Sequence, residues 1–125
     1  MATSIFVNFA TCDLERAKTF YTSLGFEVNS MFSDENGACL VVDDNVYFMV
    51  LTREHFASFI DKTVADPKTT TSALVSLSRD SRADVDAVIA NGLANGGTEP
   101  APVQDLGFMY SRGLEDPDGN AIDFF

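Results

Sequence analysis

The sequence predicts an α+β fold: two βαβββ modules whose curved mixed sheets surround a central cleft, with the helices on the outside. Three observations lead there. The order strand, helix, three strands can be traced twice along the chain. A connector at 62–71, carrying Pro67 and a run of Thr, separates the two copies almost at the midpoint. Finally, 125 residues that are 46% hydrophobic suffice for one domain with a real core, but not for two independent ones.

Module one occupies about 3–61. Ile5, Val7 and Phe9 alternate there with Phe6, Asn8 and Ala10, the two-residue period of a strand. Asp13 has the character of an N-cap. Leu14, Ala17, Phe20, Tyr21 and Leu24 follow at helical spacing and Gly25 stops them, which predicts a helix over about Leu14–Leu24. Phe26-Glu27-Val28 opens a second strand. The turn signal Ser33-Asp34-Glu35-Asn36-Gly37 leads into a third over Ala38–Val42, and Asp43-Asp44-Asn45 into a fourth over Val46–Leu51. Thr52 caps a short helix reaching about Asp61, with Phe56, Phe59 and Ile60 on its apolar side.

Module two, about 72–125, repeats the order. Ala73, Val75 and Leu77 alternate with Leu74, Ser76 and Ser78 in a strand. Ser81-Arg82-Ala83-Asp84 has the form of a capping box, and Val85, Val88, Ile89 and Leu93 make a helical stripe that ends at Gly96-Gly97. Thr98–Val103, interrupted by Pro100 and Pro102, reads as an edge or irregular strand. Phe108–Leu114 and Ala121–Phe125 are the last two strands. Asp116-Pro117-Asp118-Gly119 turns the chain between them, because Pro117 presets φ, the Asp side chains can accept from backbone N–H groups, and Gly119 tolerates positive φ. A lone module leaves one sheet face uncovered, so pairing the two encloses a cleft suited to a ligand.

Charge narrows the function. Nineteen acidic residues against eight basic ones give a net charge of −11, which repels phosphate backbones and anionic membranes, so neither nucleic acid nor membrane is an expected partner. No apolar run approaches the roughly 18 residues that span a bilayer. Met1-Ala2-Thr3-Ser4 lacks the basic and apolar regions of a signal peptide, so a cytoplasmic protein is expected. Cys12 and Cys39 suggest two reduced thiols and no disulfide scaffold.

Several short motifs, taken in order, resemble a known superfamily. They are Val7-Asn8-Phe9 leading into Asp13-Leu14-Glu15-Arg16-Ala17, then Phe20-Tyr21 and Leu24-Gly25-Phe26, and finally Leu114 to Asn120 followed by Asp123. Together they resemble the vicinal oxygen chelate superfamily of glyoxalase I, bleomycin-resistance proteins and extradiol dioxygenases. Val46–Thr52 and Gly107–Arg112 are similar to a bacterial glyoxalase-like subgroup labelled predicted lactoylglutathione lyase.

The resemblance implies a divalent metal held by four His, Glu or Gln side chains, one from each of four strands. On this chain the first slot falls on Phe6, the second on Met49 or Val50, and the third in the window Ser72 to Leu74. The fourth is Asp123, the one competent side chain. The position that carries a glutathione-anchoring Arg in glyoxalase I is Ala10. Phenyl and thioether groups do not ligate a hard cation, so no cofactor is predicted and metal-dependent glyoxalase I activity is disfavoured.

The remaining candidates are Asn8, Ser76, Phe108, Tyr110 and Arg112, with Phe6 and Met49, as ligand-binding residues, and Asp123 as a catalytic base. Each has a structural reading beside it. Asn8 can serve neighbouring backbone, and Arg112 can pair with Asp123. The lone His55 suits a surface or capping role, and Phe6, Phe48, Met49, Phe108 and Met109 suit a core. Two functions stand: a metal-independent binder of a small apolar or aromatic molecule, and a lyase- or isomerase-type enzyme using Asp123. The resemblance also implies a homodimer.

Overall fold

The structure, a computed structural model, describes residues 2–125, which divide into two compact units on either side of the Ala65–Asp66 bond. In the first, the elements are β1 (Ile5–Thr11), α1 (Leu14–Ser23), β2 (Glu27–Asp34), β3 (Gly37–Asp43), β4 (Val46–Thr52) and α2 (Arg53–Ala57). Their sheet runs β1-β4-β3-β2, with β1 parallel to β4 and the other neighbours antiparallel. The second holds β5 (Val75–Leu77), α3 (Arg82–Ala94), β6 (Gln104–Asp105), β7 (Tyr110–Glu115) and β8 (Ala121–Phe124). Its sheet runs β5-β8-β7-β6, again with one parallel pair, β5 with β8. The same topology is thus used twice, an α+β fold of two mixed four-stranded sheets.

The predicted caps form. Asp13 Oδ1 accepts from Arg16 N at 3.1 Å, Thr52 Oγ1 from His55 N at 3.3 Å, and Ser81 Oγ from Asp84 N at 3.1 Å. Each satisfies one N–H that the first helical turn leaves without a partner. α2 is shorter than the sequence suggests. After Ala57 the chain tightens to i→i+3 bonds, Phe59 N to Phe56 O and Ile60 N to Ala57 O.

Alternation decides which side chains become core. Val7 and Phe9 of β1 pair with Phe48 and Val50 of β4, and Ala38 and Leu40 of β3 lie beside the same two residues. This face meets α1 through an aromatic cluster: Tyr21 lies edge-on to Phe48 at 5.9 Å, and Phe9 edge-on to Phe48 at 5.3 Å. Phe20, Tyr21 and Phe48 are all fully buried. Removing such a buried ring costs about 3–5 kcal/mol.

The second unit has a buried stripe of Leu114, Ile122 and Phe124 under Val85, Val88 and Ile89 of α3. Beside it lies an ionic clamp. Arg112 Nε and Nη2 donate to the two oxygens of Glu99 at 2.8 and 2.9 Å, and Nη1 donates to Asp86 of α3 at 2.9 Å. The Arg112 hydrogen bonds hold the Glu99 carboxyl below the ordinary carboxylate range.

β6 departs from the sequence reading. Instead of a strand over Thr98–Val103, Thr98 alone bridges Glu115, and a two-residue strand follows at Gln104–Asp105. Pro100 and Pro102 have no N–H to give, so pairing survives only on either side of them.

The Asp-Pro-Asp-Gly turn is built on one carboxylate. Asp116 Oδ1 accepts from the backbone N–H of Asp118, Gly119 and Asn120 at 2.8–2.9 Å, and Oδ2 accepts from Asn120 Nδ2 at 2.9 Å. Gly119 sits at φ +103, and a Cβ there would come within 3.0 Å of the Pro67 and Lys68 backbone. We therefore expect Gly119→Ala to destabilise the protein by roughly 1–3 kcal/mol, from left-handed strain plus backbone displacement. A urea midpoint equal to wild type would refute that account.

The clamp gives a pH-dependent expectation. Arg112→Gln should cost about 1.5 kcal/mol at neutral pH, the low end for a charge-assisted bond because both side chains are about one-fifth exposed (19% and 20%). Glu99 has a depressed folded pKa, so the stabilisation is present above its unfolded value and disappears as pH falls through the folded one. The wild-type and variant melting curves should converge in acid; a gap independent of pH would count against the pairing.

Candidate functional site

The face of the first sheet opposite α1 carries Phe6, Asn8 and Ala10 on β1, in register with Tyr47, Met49 and Leu51 on β4. Phe6 and Tyr47 stack at 4.5 Å with an 11° interplanar angle. Asn8 and Met49 are direct partners, and each lines a hollow. One, of about 350 Å³, is walled by Asn8, Leu51, Phe56, Phe59 and Ile60. The other, of about 510 Å³, is walled by Phe6, Met31, Phe32, Ser33, Asp34 and Met49.

Both hollows exist for local reasons. α2 has no buried residue, so its Phe56 side and the turn that follows stand over Leu51 and leave space beneath. On the other side, β2 loses register with β3 between Asn29 and Asp34. Ser33 fills the break: its Oγ donates to Asn29 O at 2.6 Å and accepts from Cys39 N at 3.0 Å. The displaced strand leaves Met31 and Phe32 exposed, at 85% and 65%.

The walls of the smaller hollow are apolar apart from Asn8, those of the larger one also include Ser33 and Asp34, and Phe6 is itself half exposed. Such a surface binds through dispersion and π contacts. Asn8 supplies polarity. Its Nδ2 donates to Phe6 O at 3.1 Å, so the side chain both serves the backbone and faces the hollow.

The other candidate residues lie elsewhere. Asp123 on β8 pairs in register with Ser76 on β5 and with Gly113 on β7, on the face turned away from α3. The absence of a side chain at Gly113 leaves its carboxylate room, since a Cβ there would lie 3.3 Å from Asp123 Oδ1. Asp123 is half-buried, no hydrogen bond or ion pair reaches it among the described residues, and burial pushes its pKa up.

Tyr110 and Arg112 occupy the α3 face of β7, one residue out of phase with Gly113. Tyr110 Oη donates to Asp86 Oδ1 at 2.6 Å, and Arg112 is held by Glu99 and Asp86. The expected Arg112–Asp123 pair is therefore corrected: alternation along β7 and β8 sends the two side chains to opposite faces. Phe108 stands 88% exposed in the turn before β7. Nearby, a hollow of about 240 Å³ holds Arg79, Arg82, Phe108 and Tyr110. There Arg82 is paired with Asp105 and lies over the Tyr110 ring at 4.9 Å.

The lone His55 has a structural setting. It lies in the first turn of α2, its ring edge-on to Phe59 at 5.0 Å. Arg53 is committed to the backbone, donating to Val64 O and Ala65 O at 3.1 Å. Among the described residues Cys12, exposed, and Cys39, buried, form no disulfide, and Cys12 Sγ accepts from Arg16 Nη2 at 3.3 Å.

The metal slots implied by resemblance do not fit a divalent ion. Val50 faces α1 and is fully buried, which leaves Met49 for the second slot. Ser72, Ala73 and Leu74 precede β5, and Leu74 is exposed. Phenyl, thioether and a single carboxylate are not a hard-cation donor set. Among the described residues no group of three His, Cys, Asp or Glu side chains converges.

Of the residues named from the sequence as ligand-binding candidates, Phe6, Asn8 and Met49 line these hollows, beside Phe56, Phe59 and Ile60, which the sequence marks only as the apolar side of a short helix. Met31, Phe32 and Leu51 also line the hollows and are not among those candidates. The available signal was an apolar Met-Phe pair beside a predicted turn, where a strand end needs no core residue.

Residues 3–43 match the bleomycin resistance protein-like N-terminal family. No curated protein matches the chain. Among solved structures, a hypothetical protein SA1046 from S. aureus is similar with a TM-score of 0.82 at 20% identity, over 99% of this chain and 93% of that one. A glyoxalase/bleomycin resistance protein/dioxygenase family enzyme from Burkholderia phytofirmans PsJN gives a TM-score of 0.77 at 21% identity, over 98% and 97%. A glyoxalase/bleomycin resistance protein from Albidiferax ferrireducens T118 gives 0.71 at 24% identity, over 95% and 93%. A matching N-terminal segment and a doubled βαβββ topology shared across their length make the chain similar in fold to the solved structures titled glyoxalase/bleomycin resistance proteins.

Proposed function

We propose that this protein binds a small apolar or aromatic molecule, without a metal, on the open face of its first sheet. One observation carries the reading: two hollows of about 350 and 510 Å³ meet that face at the Asn8–Met49 pair, with Phe, Met, Leu and Ile walls. Volumes of that size suit a small ligand, and a mostly apolar wall with a few polar groups is the usual composition of such a site. The solved structures titled bleomycin resistance proteins are in keeping with a binding role.

The expected behaviour is stabilisation by ligand alone. A two-ring aromatic at 100 times its Kd should stabilise the fold by about 2.7 kcal/mol, and divalent metals should leave the melting temperature unchanged. Phe59→Ser and Met49→Asp should each weaken that stabilisation, the first with little effect on the unliganded protein because Phe59 is 68% exposed. Stabilisation by metals with none by aromatics would defeat the proposal.

A second reading is a lyase- or isomerase-type reaction, as the lactoylglutathione lyase-like label suggests, with Asp123 as general base. Its support is the half-buried carboxylate with a raised pKa, a state suited to proton transfer. Because the folded pKa is raised, the fold favours the protonated acid, and that contribution is full below the unfolded pKa and lost as pH rises through the folded one. Asp123→Asn should therefore melt higher than wild type at neutral pH, with the advantage vanishing in acid. A variant that melts lower at neutral pH would show the carboxylate to be a structural anion.

A further inference from the structure

We propose that the molecule bound at the Asn8 hollow is a flat aromatic carrying one hydrogen-bond donor, an indole-like N–H or a phenol-like O–H, seated on Asn8 Oδ1. This rests on the preceding reading that the open face takes an aromatic ligand, and names its chemistry.

The orientation of the Asn8 amide carries the step. Its Nδ2 donates to Phe6 O at 3.1 Å. The opposite orientation would set the amide oxygen against that carbonyl oxygen, two acceptors with no proton between them. Nδ2 is therefore engaged by the strand, and Oδ1 is the atom left for a visitor. No hydrogen bond reaches Oδ1 among the described residues.

The other four walls of the 350 Å³ hollow are Leu51, Phe56, Phe59 and Ile60, none with a polar side-chain atom. The side chains thus offer an incoming ring one available acceptor. A ligand acceptor placed there would face a lone pair, whereas an N–H or O–H would be matched. Charge points the same way. Among the described residues no cation lines the hollow, and the chain carries −11 overall, so an aromatic anion finds no counter-charge from them. Two phenyl rings, Phe56 and Phe59, supply the surface against which a planar molecule packs.

The pair indole and benzothiophene tests this, since the second replaces the N–H with sulfur at nearly constant shape. Binding is read by calorimetry on wild type and on Asn8→Leu, with folding of the variant checked by its melting curve. Asn8 is exposed, so the substitution leaves the core intact. Wild type should prefer indole by about 2- to 10-fold, the usual range for one net hydrogen bond. Asn8→Leu should lose that preference while keeping its affinity for benzothiophene.

Equal affinities in wild type would overturn the donor requirement and leave the aromatic-binding reading standing. Failure of both ligands to bind would overturn that reading and the inference together. A preference for indole that persists in Asn8→Leu would overturn the role of Asn8.

Discussion

The constraint on which the first unit depends is the strict alternation of side chains along a strand, locked across four strands by hydrogen-bond register. Once Phe9 is committed to the Tyr21–Phe48 cluster beneath α1, Asn8 and Phe6 have no choice of side. A slip of one residue would exchange the aromatic core for Asn8, Tyr47 and Met49, so register is energetically well defined. The open face is thus a product of the core on the other side. Its chemistry follows from which residues were left over.

The second unit obeys the same rule with a different cargo. Its helix-covered face holds Leu114, Ile122 and Phe124 but also Tyr110 and Arg112, whose polar ends reach Asp86 and Glu99 at the margin of the core. The face turned away from α3 carries Ser76, Gly113 and Asp123 in one row. Two copies of one topology therefore present dissimilar surfaces, one mostly apolar with Asn8, Ser33 and Asp34 among its walls and one with a carboxylate beside a glycine. Asymmetry of this kind is how a repeated architecture acquires distinct sites without changing its backbone plan.

Local signals were the most legible part of the sequence. Caps at Asp13, Thr52 and Ser81 and the Asp116 turn depend on a few adjacent residues, and all four stand where the pattern places them. Features that depend on distant pairing were less readable. The short β6 follows from two prolines whose effect is visible, but its position at Gln104–Asp105 depends on where β7 can offer partners. Grouping Arg112 with Asp123 required knowing that Gly113, and not Arg112, lies opposite Asp123. That is a register between two strands, which neither strand states alone. Met31 and Phe32 escaped for a similar reason, since the shift in β2 that exposes them is defined only against β3.

The parallel pairing of β1 with β4 has a consequence for how the chain comes into being. Ile5 and Val46 are partners far apart in sequence, and among the described residues β1 is the edge strand of its sheet, paired with β4. During synthesis β1 emerges before its partner, and the β1–β4 pairing waits until β4 has followed the β2–β3 hairpin out. The second unit repeats the delay, with Val75 waiting for Ile122. Each unit thus closes on its earliest strand last, a long loop closure of the kind that slows folding. In the interval, the alternating apolar sequence around Phe6 and Phe9 is exposed.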